Sequence, residues 1–267
     1  MMLADFHVHS NFSDGKLTIP EVVDLYGQRE FGAIAITDHI GETSTVIGKA
    51  AGHLGLCLTE ATFPIYREIL KSEAERAWEQ YKMIVIPGME LSKNSISNHR
   101  SAHIVALGIS EYLSANEDVA VLARNIRNRG GLAIAAHPVS SGKFEKQTFH
   151  LWDRREELRD AFDAWEVASG EILFPEVQKT DLPKIASSDL HMGRHMTSWK
   201  TILNCERNDQ AILSAIKRQK VNFYFYQDFF GNQVKKLKKR ESNDRDRHYG
   251  YTLQWEIPST GEGIGIG

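Results

Sequence analysis

The sequence predicts an α/β fold in which strands alternate with helices and close into a mainly parallel barrel. Three observations carry this. Short apolar runs of strand length recur along the chain. Helical periodicity fills several of the gaps between them. Each run leads into polar residues of strong chemistry. Seven such units argue for a barrel over an open sheet.

Leu3 to His9 is the first strand candidate, and Asn11 to Gly15 is turn-rich. Thr18 is placed to cap a helix with Pro20 in its first turn and Glu21 completing a Thr-x-x-Glu box, running to about Arg29. Ala33 to Thr37 is the second strand, followed by Asp38 and His39. Met83 to Ile86 leads to Pro-Gly-Met-Glu90, and Ile104 to Leu107 is a further strand. A helix over roughly Val119–Arg129 ends at Gly130-Gly131. Leu132 to Ala136 runs into His137-Pro138, Ala164 to Ala168 is a strand, and Lys184 to Ala186 leads to Ser-Ser-Asp189.

Residues 41–82 interrupt this rhythm. Tyr66, Ile69, Leu70, Ala77, Trp78 and Tyr81 have helical spacing, which suits either a helix decorating the barrel or a lid over the site. The barrel is expected over residues 1–228, with a charged extension over 229–267. Within that extension, 235–247 is rich in Lys and Arg, read as a solvated segment or as a contact to a phosphate backbone.

Composition narrows the classes. Of 267 residues, 42% are hydrophobic and 25% charged, ordinary for a globular protein with a core of its own. No run reaches the ~20 apolar residues of a membrane-spanning helix. The net charge of −3 argues against a globally basic nucleic-acid-binding surface. Cys57 and Cys205 lack CxxC spacing, which excludes a disulfide framework and suits a cytoplasmic protein. The N-terminus has no signal-peptide pattern.

The chemistry lies in the histidines. His7 and His9, two apart on a strand, face the same way and can chelate one cation. With 11 His in the chain, about 0.5 His-x-His pairs arise by chance, so the pair alone says little. Position says more. His7, His9, His39, Glu90, His137 and Asp189 each stand where an apolar strand ends, and His191 follows closely. In α/β barrels that is the address of the active site. His103 is the exception, because it opens its apolar run. His53, His99, His150, His195 and His248 lack the address. Asp38 reads as a supporting carboxylate.

The motif His7-Val-His9-Ser-x-x-Ser-Asp14-Gly15 resembles the opening of the PHP (polymerase and histidinol phosphatase) family. Ile-Thr-Asp-His39, Pro-Gly-Met-Glu90-Leu, His103-Ile-Val-Ala-Leu-Gly, Ala-His137-Pro and Ser-Asp189-Leu-His191 continue the resemblance in the family's order over about residues 3–228. It implies a distorted (β/α)7 barrel carrying two or three divalent metal ions (Mn, Zn or Fe) at the C-terminal ends of the strands, and hydrolysis of phosphate esters. It implies three metal positions: His7, His9, Glu90 and Asp189; then Glu90, His103 and His137, with Glu90 bridging; then Asp14, His39 and His191. Some relatives have histidine at the position of Asp14, and a carboxylate there favours harder cations such as Mn²⁺. Many carry an arginine after the His-Pro pair, where Lys143 stands in here. The 41–82 insertion is longer than in compact relatives.

The expected enzyme is a metal-dependent phosphoric ester hydrolase acting through a metal-bridged hydroxide. Glu90 and Asp189 are its central carboxylates, Arg194 and Lys143 its candidate phosphate contacts, and His195 a candidate proton donor. The substrate is a phosphorylated small molecule, a nucleotide or an oligonucleotide. Two alternatives stand beside it: an amidohydrolase-like metal hydrolase of C–N or C–O bonds, and a non-catalytic barrel used as an interaction module. The first typically wants a metal-bridging lysine where this chain ends a strand in glutamate. The second predicts lost ligands, yet all nine positions carry metal-competent residues.

Overall fold

The computed structural model describes residues 1–139 and 148–229. In chain order these form β1 (Met2–Val8), α1 (Ile19–Gly27), β2 (Ala33–Ile36), β3 (His39–Gly41), α2 (Val46–His53), α3 (Phe63–Tyr81), β4 (Ile84–Lys93) and β5 (Ala102–Leu107). There follow α4 (Val119–Asn128), β6 (Leu132–Ala135), α5 (Phe149–Asp153), α6 (Arg155–Leu158), β7 (Ala164–Ser169) and β8 (Ile172–Leu173). The last elements are α7 (Pro175–Gln178), β9 (Lys184–Ser187), β10 (Ser198–Leu203), α8 (Asp209–Lys217) and β11 (Val221–Tyr226). Lys143 and the 235–247 segment lie outside the described residues.

The sheet curls through β1-β2-β4-β5-β6-β7, with β9 paired to β7. Just beyond β9, Leu190 bridges Val8 of β1, so seven strands make a distorted barrel. The His9 N–H donates to the Leu190 carbonyl at 2.8 Å and the Leu190 N–H to the His7 carbonyl at 3.2 Å. Lower down, β10 pairs antiparallel with β1 and carries β11.

One strand departs from the expected parallel order. β5 runs antiparallel to both β4 and β6. Residues 94–101 are too few for a helical crossover. They turn through a short 3₁₀ segment at Asn98–Arg100, and the chain returns reversed. That accounts for His103: the start of β5 lies beside the C-terminal ends of its neighbours, with His103 opposite Ser92.

Inside and outside are two apolar layers. The inner cluster holds Ala4 and Phe6, Ala33 and Ala35, Ile86, Val105, Ile134, Ala164 and Ile185, joined by Ile212 and Ile216 of α8. The outer cluster packs Ile34 and Ile36 against Val22, Val23 and Tyr26 of α1. α1 begins as its capping box requires: Thr18 N–H donates to Glu21 at 2.8 Å, and Thr18 Oγ1 accepts from the Glu21 N–H. In the insertion, α3 packs on the outer wall. Its Tyr66 hydroxyl donates to the Ile36 and Gly88 carbonyls, and Arg76 pairs with Asp24 of α1 at 2.6 Å. At the rim, the Leu58 N–H donates to the His39 carbonyl at 2.7 Å.

β1 contains a bulge. Ala4 and Asp5 sit opposite Ala33 and Ile34, but Val8 sits opposite Ile36, so β1 has one residue more than β2. Before the bulge Ala4 faces inward. After it Val8 faces outward with Ile36, which turns His7 and His9 inward. A bulge re-aims side chains in this way.

Among the described residues no helix is long and apolar enough to cross a membrane. Residues Met1–Asp228 form one compact unit.

Candidate metal centre

Seven structural elements deliver side chains to the top of the barrel. β1 brings His7 and His9, with ring centroids 5.1 Å apart. β3 brings His39, β4 Glu90 and β5 His103, while His137 follows β6 and Asp189 and His191 follow β9. Asp14 comes from the loop after β1. Asp38 shapes that loop: it accepts the Ser10 N–H at 2.8 Å, the Ser10 hydroxyl at 2.7 Å and the Ser13 hydroxyl at 2.6 Å. Burial pushes the Asp38 pKa up, against these hydrogen bonds. Gly15 is required there, because a Cβ would stand 2.6 Å from the His9 carbonyl oxygen.

The ligand-competent atoms converge. Four groups each lie within 4.8 Å: His9, Asp14, His39 and His191; His7, Glu90 and His137; His7, His9 and Asp189; His39, Glu90 and His103. All nine residues singled out in the sequence belong to at least one. The grouping is more interleaved than the family pattern implies. His39 Nδ1 is 2.7 Å from Glu90 Oε2, and His9 stands with the Asp14 group. Asp189 Oδ1 lies 3.4 Å from His7 Nε2 and 3.2 Å from His9 Nε2. Glu90 Oε1 lies 3.0 Å from His103 Nδ1 and 3.4 Å from His137 Nε2. Asp14 Oδ1 lies 3.2 Å from His191 Nε2.

The donor set fits divalent transition metals. Imidazole nitrogens mixed with carboxylates suit Zn²⁺, Mn²⁺ or Fe²⁺. His7 Nε2, His9 Nε2, Glu90 Oε2 and Asp189 Oδ1 are buried and make no hydrogen bond. Buried polar atoms are rarely left so, and four facing one centre fit a cation between them.

Electrostatics prepares the same centre. Burial disfavours every charged form here. At His9 and His103 it prevails, lowering the pKa to about 3 and about 4, so both imidazoles are neutral and able to coordinate. At His7, His39 and His137 nearby carboxylates outweigh burial and raise the pKa. At His191, Asp189 and Asp14 outweigh burial and raise it to about 10. Glu90 is buried and Asp189 half-buried, yet the surrounding imidazoles hold both well below the usual carboxylate range. Without a cation, protons on some histidines balance the carboxylates. His137 and Asp189 also hold positive φ, 27° and 50°, which non-glycine residues adopt at a cost and often at functional sites.

Two buried networks hold these residues, and the sequence reading missed both. Glu166 of β7 accepts from His7 Nδ1 at 2.9 Å and from the His137 N–H at 2.7 Å. A carboxylate in this role fixes which ring nitrogen points at the metal. The available signal was a glutamate inside the apolar run Ala-Trp-Glu-Val-Ala. Below the centre, Asp5 meets Lys200 at 2.9 Å, the Tyr26 hydroxyl at 2.6 Å and the Ser188 N–H at 3.0 Å. Asp5, Lys200 and Tyr26 are fully buried.

The other candidates stand apart. Arg194 is exposed and makes no ion pair among the described residues. His195 Nδ1 accepts the His191 N–H at 3.2 Å, and burial, His191 and Arg194 lower its pKa. His99 pairs with Asp153 at the surface. His53, His99, His150 and His195 join none of the four groups. His248 lies outside the described residues.

Comparison with known proteins adds three findings. The family model described as PHP domain matches residues 5–173. A phosphoribosyl 1,2-cyclic phosphate 1,2-diphosphodiesterase of Eggerthella lenta is 28% identical over 110 residues, 41% of this chain and 32% of that protein. The chain thus spans about a third of that relative's length. Two solved structures share the fold. One is a two-domain Bacteroides vulgatus protein containing a predicted PHP-like metal-dependent phosphoesterase, with TM-score 0.58 and 20% identity over 84% of this chain and 65% of that one. The other is PsfC of Pseudomonas syringae, with TM-score 0.53 and 16% identity over 90% of this chain and 98% of that one.

Proposed function

Because the chain belongs to the PHP domain family, we propose that it is a metal-dependent phosphoesterase whose centre is built by His7, His9, Asp14, His39, Glu90, His103, His137, Asp189 and His191. The observation that carries this is the set of buried, unbonded ligand atoms on His7, His9, Glu90 and Asp189 facing one another. Bound divalent cations would supply a water of lowered pKa and neutralise the charge of a phosphate.

The chain's own residues do the rest. Glu90 belongs to two of the four groups and would be the carboxylate shared between two cations. Glu166 holds His7 with Nε2 turned inward, and Ser92 does the same for His39, 2.6 Å from its Nδ1. Arg194 and Lys143 are the cations this reading assigns to the substrate phosphate. The activity named for the Eggerthella relative favours a phosphodiester, and the net charge of −3 favours a small substrate over a nucleic acid. The amidohydrolase alternative is weakened, since Lys200, the fully buried lysine among the described residues, is engaged by Asp5 and Ser198.

The test is turnover of p-nitrophenyl phosphate and of bis-p-nitrophenyl phosphate by Mn²⁺-loaded protein, with His9→Ala as the blank. The expected result is His9-dependent hydrolysis, faster on the diester. A monoester preference would move the reading to a phosphatase. No His9-dependent turnover of either would overturn it.

A further inference from the structure

A cleft beside the metal centre has no part in the reading above. Glu42, just past β3, forms one wall, and the return between β4 and β5 forms the other with Asn94, Ser95, Ile96, Ser97 and Arg100. The space between them is about 620 Å³, within the range of small-molecule sites. It adjoins the centre through Asn94, whose side-chain oxygen lies 3.1 Å from His103 Nε2.

The walls are ordered before any ligand arrives. Ser101 Oγ accepts the Ser95 N–H at 3.1 Å and donates to the Ser95 and Ser97 carbonyls, and Ser95 Oγ accepts the Ser97 N–H at 3.2 Å. Glu42 is neutralised by Lys93 at 2.8 Å. Arg100 is exposed and makes no ion pair among the described residues, which leaves one unmatched positive charge among hydroxyls and an amide. Ile96 is 95% exposed at the lip.

Hydroxyl and amide groups suit a hydroxylated ligand, and a guanidinium offers a two-pronged site for phosphate. Among the described residues no aromatic side chain lines the cleft to stack a base. We propose that the cleft holds the non-reacting part of the substrate, a sugar whose second phosphate is taken by Arg100. The inference rests on the phosphoesterase reading and names its substrate class: phosphosugars carrying a phosphate at each end.

The test is calorimetric binding of fructose 1,6-bisphosphate, fructose 6-phosphate and inorganic phosphate to the Mn²⁺-loaded protein and its Arg100→Gln variant. Phosphate release is assayed alongside, so that turnover is not read as binding heat. The wild type should bind the bisphosphate about tenfold or more tighter than the monophosphate, as a charge-assisted contact implies. Arg100→Gln should abolish that preference. Equal binding of the two sugars by the wild type, or a preference that survives Arg100→Gln, overturns the proposal. If the wild type turns over no aryl ester, the phosphoesterase reading fails, while the binding comparison still decides the cleft.

Discussion

Glu166→Gln isolates the support of the centre from the centre itself. The substitution keeps the shape and removes one acceptor oxygen. In the wild type, one carboxylate oxygen accepts from His7 Nδ1 at 2.9 Å and the other from the His137 N–H at 2.7 Å. Glutamine can satisfy only one of these as an acceptor. If its NH₂ faces the His137 N–H, two donors oppose each other in a buried site. If its NH₂ faces His7, Nδ1 must accept, the ring proton moves to Nε2, and His7 can no longer coordinate. Each orientation sacrifices a charge-assisted bond worth about 1.5–3 kcal/mol. That corresponds to a loss of about 10- to 100-fold in metal affinity, the usual scale for groups that orient metal-binding histidines. Competition titration of Zn²⁺ against a chromophoric chelator measures it, with the exposed Glu176→Gln as control. An affinity within twofold of wild type would show that Glu166 does not set the His7 tautomer.

Three further outcomes follow from the same geometry. The stability that His191 contributes while protonated is full below its ordinary pKa of 6.5 and lost as pH rises through about 10. The melting temperature of the metal-free protein should therefore fall between pH 7 and 10, while apparent metal affinity rises there as the competing proton leaves; a flat affinity across that window would contradict the assignment. Lys200→Met leaves Asp5 charged and buried, and should cost about 3–5 kcal/mol, roughly 10 °C in melting temperature. Combining it with Asp5→Asn should be markedly less than additive. Gly15→Ala drives a Cβ to 2.6 Å from the His9 carbonyl oxygen, which should displace the Asp14 loop and lower the metal-to-protein ratio read by elemental analysis.

Much of this molecule is legible in its sequence, and the exceptions have physical causes. Strand ends are visible because polar chemistry replaces apolar runs at His39, Glu90, His137 and Asp189. Strand direction is not visible in a run of residues. It was implied by the short 94–101 segment, which cannot hold a crossover helix, and with it the reason why His103 opens its strand. The β1 bulge is hidden for another reason. Phe6 and His7 both face inward, and strict alternation would put them on opposite sides. Glu166 and Lys200 escape notice because a charge in a strand reads as exposed unless its partner is known. Glu166's partners, His7 and His137, come from other strands, as does Asp5, the partner of Lys200.

The seam of the barrel lies beside its chemistry. β1 and the segment after β9 meet through the Val8–Leu190 bridge with its two hydrogen bonds and through Ser188, which donates to Asp5 and to the His7 carbonyl, while lower down β10 occupies the place beside β1. His7 and His9 stand on one lip of that seam and Asp189 on the other. A cation shared by these three would act as a clasp across the two edges, so that loading the centre and shutting the barrel become one equilibrium. Such a protein need not unfold to exchange its metal: parting the few hydrogen bonds at Leu190 and Ser188 would loosen one lip and leave the other strands in place.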